Sequence, residues 1–247
     1  MPWENLIAVS LFAPTLGIAL YMSIRSLLRK AHRRNPPIME PAGTEADTEK
    51  SLDPISSFTF YPWVTVILIA GSIAISLLLY SKLASSILRT FLIADPNTGR
   101  LVNIETGEVW RLLTPILIHF GPVHLLFNML WLWDLGRLIE GRKGSYFFAE
   151  FVLIVGILSN LLQYLVTGSP LFGGMSGVLY GLLGYVWMQG QYNPHFGYSL
   201  HRQTVITMLG WFVLCWTGLF GPIANWAHTA GLVVGTAWGY FSSHTVE

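Results

Sequence analysis

Residues 151–190 read FVLIVGILSNLLQYLVTGSPLFGGMSGVLYGLLGYVWMQG and contain no Asp, Glu, Lys or Arg. The sequence stays this poor in charge as far as Val246, with Arg202 as the only such residue. Over all 247 residues, 53% are hydrophobic and 11% are charged, whereas a soluble domain usually carries about 25% charged residues. A water-soluble fold cannot cover its surface with so few charges. The composition therefore predicts an all-α, polytopic membrane protein.

The rest of the composition excludes several other classes of protein. Aromatic residues make up 14% of the chain, which excludes a disordered polypeptide. The net charge of +1 offers no basis for binding nucleic acid. The single cysteine, Cys215, excludes a disulfide framework and a cysteine-rich metal site. We expect no metal and no other cofactor.

Seven segments are apolar enough to span a bilayer, for which about 20 mostly apolar residues are needed. They are residues 6–24, 62–80, 123–140, 147–167, 176–190, 204–219 and 226–242. Positive charges follow the first segment rather than precede it, so it reads as a retained helix and not as a signal peptide.

These spans predict three units. They are an extra N-terminal transmembrane helix with a basic end (1–34), a flexible, acidic and proline-containing linker (35–61) and a domain of six transmembrane helices (62–247). In the long loop before the third span, residues 112–120 are apolar but too short to cross, so we expect them to lie at the interface or to insert partly.

The basic residues indicate the orientation of the chain. The loops 25–61, 141–146 and 191–203, together with Arg137, hold ten of the fourteen Lys and Arg residues. Positively charged loops stay in the cytoplasm. We therefore expect an external N-terminus, a cytoplasmic C-terminus and a place in the inner membrane of a bacterium.

Four polar residues fall at the starts of the third, fifth and seventh spans. These spans are each separated by one intervening span, so they run in the same direction and start at the same, external face. The starts carry His124 and Asn128, then Ser176, and then His228. His124 and Asn128 are four residues apart and share one face of their helix. We expect all four side chains at one depth in the membrane.

A serine and a histidine at one depth suit nucleophilic catalysis, because a serine hydroxyl becomes reactive when a neighbouring histidine takes its proton. Small residues that allow close helix packing follow both Ser176 and His228 at helical spacing: Gly177, Gly181 and Gly184, and Gly231, Gly235 and Gly239. Residues 204–246 contain no carboxylate to orient the histidine, so we expect a dyad. His124 and Asn128, with the backbone N–H of Ser176, can serve as oxyanion donors, and Tyr180 can pack on the imidazole.

At these positions the sequence resembles the rhomboid intramembrane serine proteases of bacteria, over residues 62–242. The motifs that carry the resemblance are Trp110-Arg111, His124-Leu125-Leu126-Phe127-Asn128, Gly174-Met175-Ser176-Gly177 and Ala227-His228-Thr229-Ala230-Gly231, in this order and on the expected spans. The resemblance implies a six-helix rhomboid core, here preceded by one extra helix.

The resemblance also implies roles for individual residues. Ser176 would be the nucleophile and His228 the general base, with His124 and Asn128 in the oxyanion hole. The supporting residues would be Tyr180 beside His228, Gly174 before the nucleophile, and Trp110 and Arg111 in the loop. His119, which lies in the same loop, is expected to be structural.

By the same resemblance, the substrates are single-pass transmembrane proteins, cut near the external end of their helix. The partners would then be these substrates and the lipid bilayer, with no nucleic acid and no metal. One alternative is a catalytically silent rhomboid-like protein that binds membrane clients, although such relatives typically lack the dyad. A solute transporter is the other alternative, but the internal repeats common in transporters are not found.

Overall fold

The computed structural model describes residues 61–96, 100–219 and 221–244. The predicted helix at 6–24 and nearly all of the predicted linker at 35–61 lie outside these residues. Within the part of the chain that is described, the secondary structure is helical and contains no strand. The predicted all-α fold class is therefore correct for this part.

The α-helices follow one another along the chain as α1 (Trp63–Leu78), α2 (Ala84–Phe91), α3 (Val102–Glu105), α4 (Pro122–Trp131), α5 (Arg137–Lys143), α6 (Ser145–Thr167), α7 (Ser176–Tyr192), α8 (Arg202–Cys215) and α9 (Asn225–His244). A π-helical turn, Leu132–Gly136, joins α4 to α5, and short 3₁₀ segments lie at Val109–Leu112, Thr114–Leu117 and Pro194–Phe196. Each predicted span between residues 62 and 242 thus coincides with helical structure, although several ends differ by a few residues and the span 123–140 is divided into α4, the π-helical turn and α5.

Among the described helices, α6 alone is both long and apolar enough to cross a membrane by length and composition. The helices α1 and α8 are apolar but shorter. Helix α6 ends at Gly168, whose left-handed conformation (φ 64°) closes the last turn. Most of helix α7 lies inside the protein, since eleven of its 17 residues, including all of those at 177–186, are buried.

Helices α7 and α9 pack against each other so closely that their backbones touch. A Cβ atom added to Gly231 would overlap the carbonyl group of Gly177, and one added to Gly235 would overlap that of Gly181. No residue larger than glycine fits at these points without moving a helix. The spacing of small residues on the two helices predicted this close approach.

Glu140 anchors the end of the molecule opposite to the starts of α4, α7 and α9. Its side chain is fully buried. One carboxylate oxygen accepts the N–H of Val64 (2.9 Å) and the hydroxyl of Ser145 (2.7 Å). The other accepts both the N–H (2.9 Å) and the hydroxyl (2.7 Å) of Thr65. The starts of α1 and α6 are thereby tied to the end of α5.

The loop between α3 and α4 is attached to the end of helix α2. The indole N–H of Trp110 (3.3 Å), the guanidinium of Arg111 (3.0 Å) and the hydroxyl of Thr114 (2.9 Å) donate to the carbonyl oxygens of residues 90–92. Arg111 also forms an ion pair with Glu108. The last carbonyls of a helix have no partner within it, so these side chains satisfy them and hold the loop in place.

Candidate active site

Ser176 and His228 are in direct contact at the ends of two neighbouring helices. Ser176 is the first residue of α7, and His228 lies in the first turn of α9. The imidazole Nε2 of His228 lies 2.7 Å from the hydroxyl oxygen of Ser176. His228 is buried, whereas Ser176 is partly exposed. The close packing of α7 on α9 brings together two residues that are 52 positions apart in the chain.

Tyr180 lies one turn below Ser176 and supports the imidazole. Its ring centroid is 4.8 Å from that of His228, with the planes tilted by 42°. On its other side, the ring meets Phe212 of α8 edge-on at 5.4 Å, and the phenol donates to the carbonyl of Met208 at 3.4 Å. The other imidazole nitrogen, Nδ1, is buried and has no hydrogen-bond partner among the described residues.

Gly174 separates the imidazole of His124 from the hydroxyl of Ser176. Its φ of +126° is a conformation that residues with a side chain rarely adopt. A Cβ atom at this position would lie 2.8 Å from Nε2 of His124 and 3.7 Å from Oγ of Ser176. The contact with the imidazole is shorter than 3.0 Å, so a side chain at residue 174 would displace His124 from its place beside the nucleophile loop.

Asn128 lies one turn after His124 on α4 and is buried. One N–H of its carboxamide donates to the backbone carbonyl of His124 at 2.8 Å. The carboxamide oxygen is buried without a partner among the described residues. This hydrogen bond lies within α4, so it fixes Asn128 relative to His124 rather than to Ser176.

Comparison with known protein families matches residues 106–245, more than half of the chain, to the family described as the Rhomboid domain. The protein belongs to the rhomboid family. Rhomboid proteins are membrane-embedded intramembrane proteases whose substrates are membrane proteins. All of the site residues predicted from the sequence, from Trp110 to His228, lie inside the matched region.

In this rhomboid domain, His119 holds the loop that leads into Ser176. Its Nε2 accepts the backbone N–H of Met175 (3.3 Å), and its Nδ1 lies 3.2 Å from the carbonyl oxygen of Leu117. These two partners define the tautomer, because Nδ1 must donate and Nε2 must accept. Burial, together with the nearby His124, lowers the pKa of His119 well below its ordinary value. A neutral ring suits both hydrogen bonds.

The backbone of the same loop is held at a second point, where the N–H of Gly174 donates to the carbonyl of Pro115 at 3.0 Å. The structural role expected for His119 thus takes the form of a contact one residue before the nucleophile. The sequence offered no sign of this contact, since His119 lies 56 residues before Met175.

Sequence reasoning missed Gln163 of α6, which contacts the start of the helix that carries His228. Its side-chain oxygen accepts the N–H groups of Trp226 (3.1 Å) and Ala227 (3.2 Å). A lone glutamine in an apolar helix carries no pattern that would single it out. Within the described residues, no group of three or more His, Cys, Asp or Glu side chains could hold a metal ion.

Proposed function

We propose that this rhomboid-family protein is an intramembrane serine endopeptidase that acts through a dyad of Ser176 and His228. The observation that carries the proposal is the 2.7 Å distance between Nε2 of His228 and Oγ of Ser176. A general base must lie within about 2.6–3.2 Å of the hydroxyl that it deprotonates. The partial exposure of Ser176 supports access of a substrate to the nucleophile.

In the first step, Oγ of Ser176 attacks the carbonyl carbon of the scissile peptide bond while Nε2 of His228 takes the hydroxyl proton. The resulting imidazolium then donates this proton to the leaving amine, which leaves an acyl group on the serine. In the second step, Nε2 takes a proton from water as the water oxygen attacks the acyl carbon, and the imidazolium then returns this proton to Oγ of Ser176 as the bond between the acyl group and the serine breaks. Tyr180 holds one face of the imidazole during both transfers.

The negative charge that develops on the carbonyl oxygen needs hydrogen-bond donors. The backbone N–H of Ser176 is suited to this, because the first amides of a helix have no partner within it and lie at its positive end. We assign the imidazole of His124 and the carboxamide of Asn128 as the other donors. Gly174 supports this assignment, because the absence of a side chain there lets the imidazole of His124 lie close to the serine.

The proposed substrates are single-pass transmembrane proteins that are cut near the external end of their helix. Helices α4, α7 and α9 start at one end of the molecule, where Ser176, His228 and His124 lie. The distribution of basic residues assigns this end to the external side of a bacterial inner membrane. The proposed domain of six transmembrane helices (62–247) then has a cytoplasmic C-terminus, with the helix at 6–24 as an additional span.

The test is cleavage of a model single-pass substrate by the purified full-length protein in detergent. Wild-type protein is compared with Ser176→Ala and His228→Ala, and a serine-reactive phosphonate is applied to all three. We expect the wild type to cleave the substrate and to be labelled at Ser176. Both variants should lose cleavage, and Ser176→Ala should lose the label.

Cleavage that persists in Ser176→Ala would refute the assigned nucleophile. A folded wild-type protein that neither cleaves nor reacts with the phosphonate would refute the protease proposal. That result would favour the catalytically silent protein that binds membrane clients.

A further inference from the structure

Among the described residues, none binds the imidazole of His228 as the third residue of a serine-protease triad does. Its Nδ1 is buried without a hydrogen-bond partner among the described residues. The orientation of the ring must then come from the packing of Tyr180 and from the position of the backbone that carries it. The backbone N–H of His228 makes an ordinary helical bond to the carbonyl of Ala224 at 3.2 Å. The placement of the whole first turn of α9 therefore decides where Nε2 lies.

A side chain from another helix holds the first turn of α9 in place. Helix α9 begins at Asn225, and the residue before it, Ala224, has no side-chain oxygen that could cap the free amides. The N–H groups of Trp226 and Ala227 instead converge on the side-chain amide of Gln163 in α6, at 3.1 and 3.2 Å. Because both groups are donors, the atom that they share is the amide oxygen.

Gln163 is well placed to fix the position of α9 along its axis and its rotation about that axis. Its side chain is buried, with 6% of the residue exposed. The two amides that it binds immediately precede His228, so a shift of this turn moves the imidazole directly. Helix α7 also packs against this turn, since a Cβ atom added to Gly177 would lie 3.2 Å from the backbone carbonyl oxygen of Ala227. The first turn of α9 is thus held by the hydrogen-bonded cap from α6 and by backbone contact with α7.

We propose that Gln163 is a positioning residue for catalysis, which acts through the backbone of Trp226 and Ala227 to hold His228 in contact with Ser176. This assignment rests on the proposed protease function. It gives Gln163 the orienting task that a carboxylate performs in a triad, with the difference that Gln163 acts on the helix and not on the imidazole.

The decisive comparison is between Gln163→Met and Gln163→Glu in the full-length protein. Methionine has a similar length but cannot accept the two N–H groups, whereas glutamate keeps oxygens that can accept them at the positive end of a helix. We expect Gln163→Met to lower kcat by about 10- to 100-fold, the range for a misplacement of up to 1 Å, with little change in KM. Gln163→Glu should restore kcat to near the wild-type value.

Asn160→Leu is the matched control, one turn earlier on the same helix. Asn160 is also buried, but its amide donates to the carbonyls of Leu112 (2.8 Å) and Leu113 (3.3 Å), in the loop before α4 rather than at the start of α9. We expect this variant to lower the unfolding temperature and to keep kcat. The rate of phosphonate labelling at Ser176 should fall in Gln163→Met and not in Asn160→Leu.

Wild-type kcat in Gln163→Met would overturn the assignment of Gln163, as would equal losses in the methionine and glutamate variants. A loss of kcat in Asn160→Leu as large as that in Gln163→Met would also overturn it, because general loosening of α6 would then explain both. If Gln163→Met fails to fold, Gln163→Asn serves as the test instead. The side chain of asparagine is one carbon too short for its amide to reach both N–H groups, so the proposal requires that this variant has a lower kcat. A wild-type protein that neither cleaves the substrate nor reacts with the phosphonate would overturn the protease proposal. The assignment of Gln163 would then fall as well, because it rests on that proposal.

Discussion

Replacing Gly231 by alanine tests whether the backbone contact between α7 and α9 sets the geometry of the dyad. Gly231 lies one turn after His228, and it faces Gly177, the neighbour of Ser176. An added Cβ atom would lie 2.8 Å from the carbonyl carbon of Gly177 and closer still to its oxygen. Ordinary van der Waals contact begins at 3.4 Å. The two helices must therefore move apart at the level of the catalytic residues.

The size of the effect follows from this separation. The carbonyl carbon alone requires a movement of about 0.6 Å, and the nearer oxygen brings this to about 1.5 Å. A misplacement of about 1 Å can cost on the order of 100-fold in rate. Overpacking of this kind also lowers the free energy of unfolding by about 1–3 kcal/mol. We expect both effects in Gly231→Ala.

The assay combines steady-state cleavage of a single-pass substrate in detergent with denaturant unfolding and phosphonate labelling of Ser176. The matched control is Gly71→Ala on α1, where the added Cβ atom would lie 3.8 Å from a methyl group of Leu117, an ordinary contact. This control should cleave at the wild-type rate and gain up to about 1 kcal/mol of stability, because alanine favours a helix over glycine.

Wild-type turnover in Gly231→Ala would refute the reasoning, because it would show that the helices can separate without disturbing the dyad. A loss of turnover in Gly71→Ala equal to that in Gly231→Ala would refute it as well. The backbone contact would then have no special part in the loss.

Substitutions at three further residues test other parts of the site and fold. Gly174→Ala should lower kcat by about 100-fold or more, since its Cβ atom would lie 2.8 Å from Nε2 of His124 and would displace the imidazole that we assign as an oxyanion donor; wild-type cleavage kinetics would contradict that assignment. Glu140→Ala leaves four donors without their acceptor and should lower the free energy of unfolding by about 3 kcal/mol or more. Its kcat per folded molecule should stay near the wild-type value, as active-site titration with the phosphonate can show. Tyr180→Phe keeps the ring against His228 and should retain kcat, whereas Tyr180→Ala should lose it; equal rates in these two variants would exclude a supporting role for the ring.

The helix ends show where apolar sequence and helical structure differ. The apolar run predicted a span over residues 204–219, but α8 ends at Cys215. The hydroxyl of Thr217 then bonds to the carbonyl of Leu214, and Gly218 turns the chain with a φ of 74°. Hydropathy measures whether a residue is apolar and does not detect such turns. The predicted end of the span therefore lies four residues beyond the end of α8.

The loop before α4 shows a second limit of prediction from the sequence. The segment 112–120 was expected to lie at the interface or to insert partly because it is apolar and short, and in the structure it contains a 3₁₀ turn and several buried residues. Its contact with the nucleophile loop, through His119 and Met175, could not be predicted. Such a contact depends on how the loop folds back against α7, and no periodic pattern encodes that.

The sequence by itself determined which residues are available for chemistry and at which end of the molecule they lie. Its charge distribution and the parity of its spans are properties of the chain order alone, and they place Ser176 and His228 at helix starts that face the same way. Only the tertiary structure decided that the two side chains meet at 2.7 Å, because this distance depends on the rotation and close approach of α7 and α9. The cap on α9 is likewise a tertiary property, since Gln163 lies 63 residues before Trp226 and reaches it only when α6 packs beside α9.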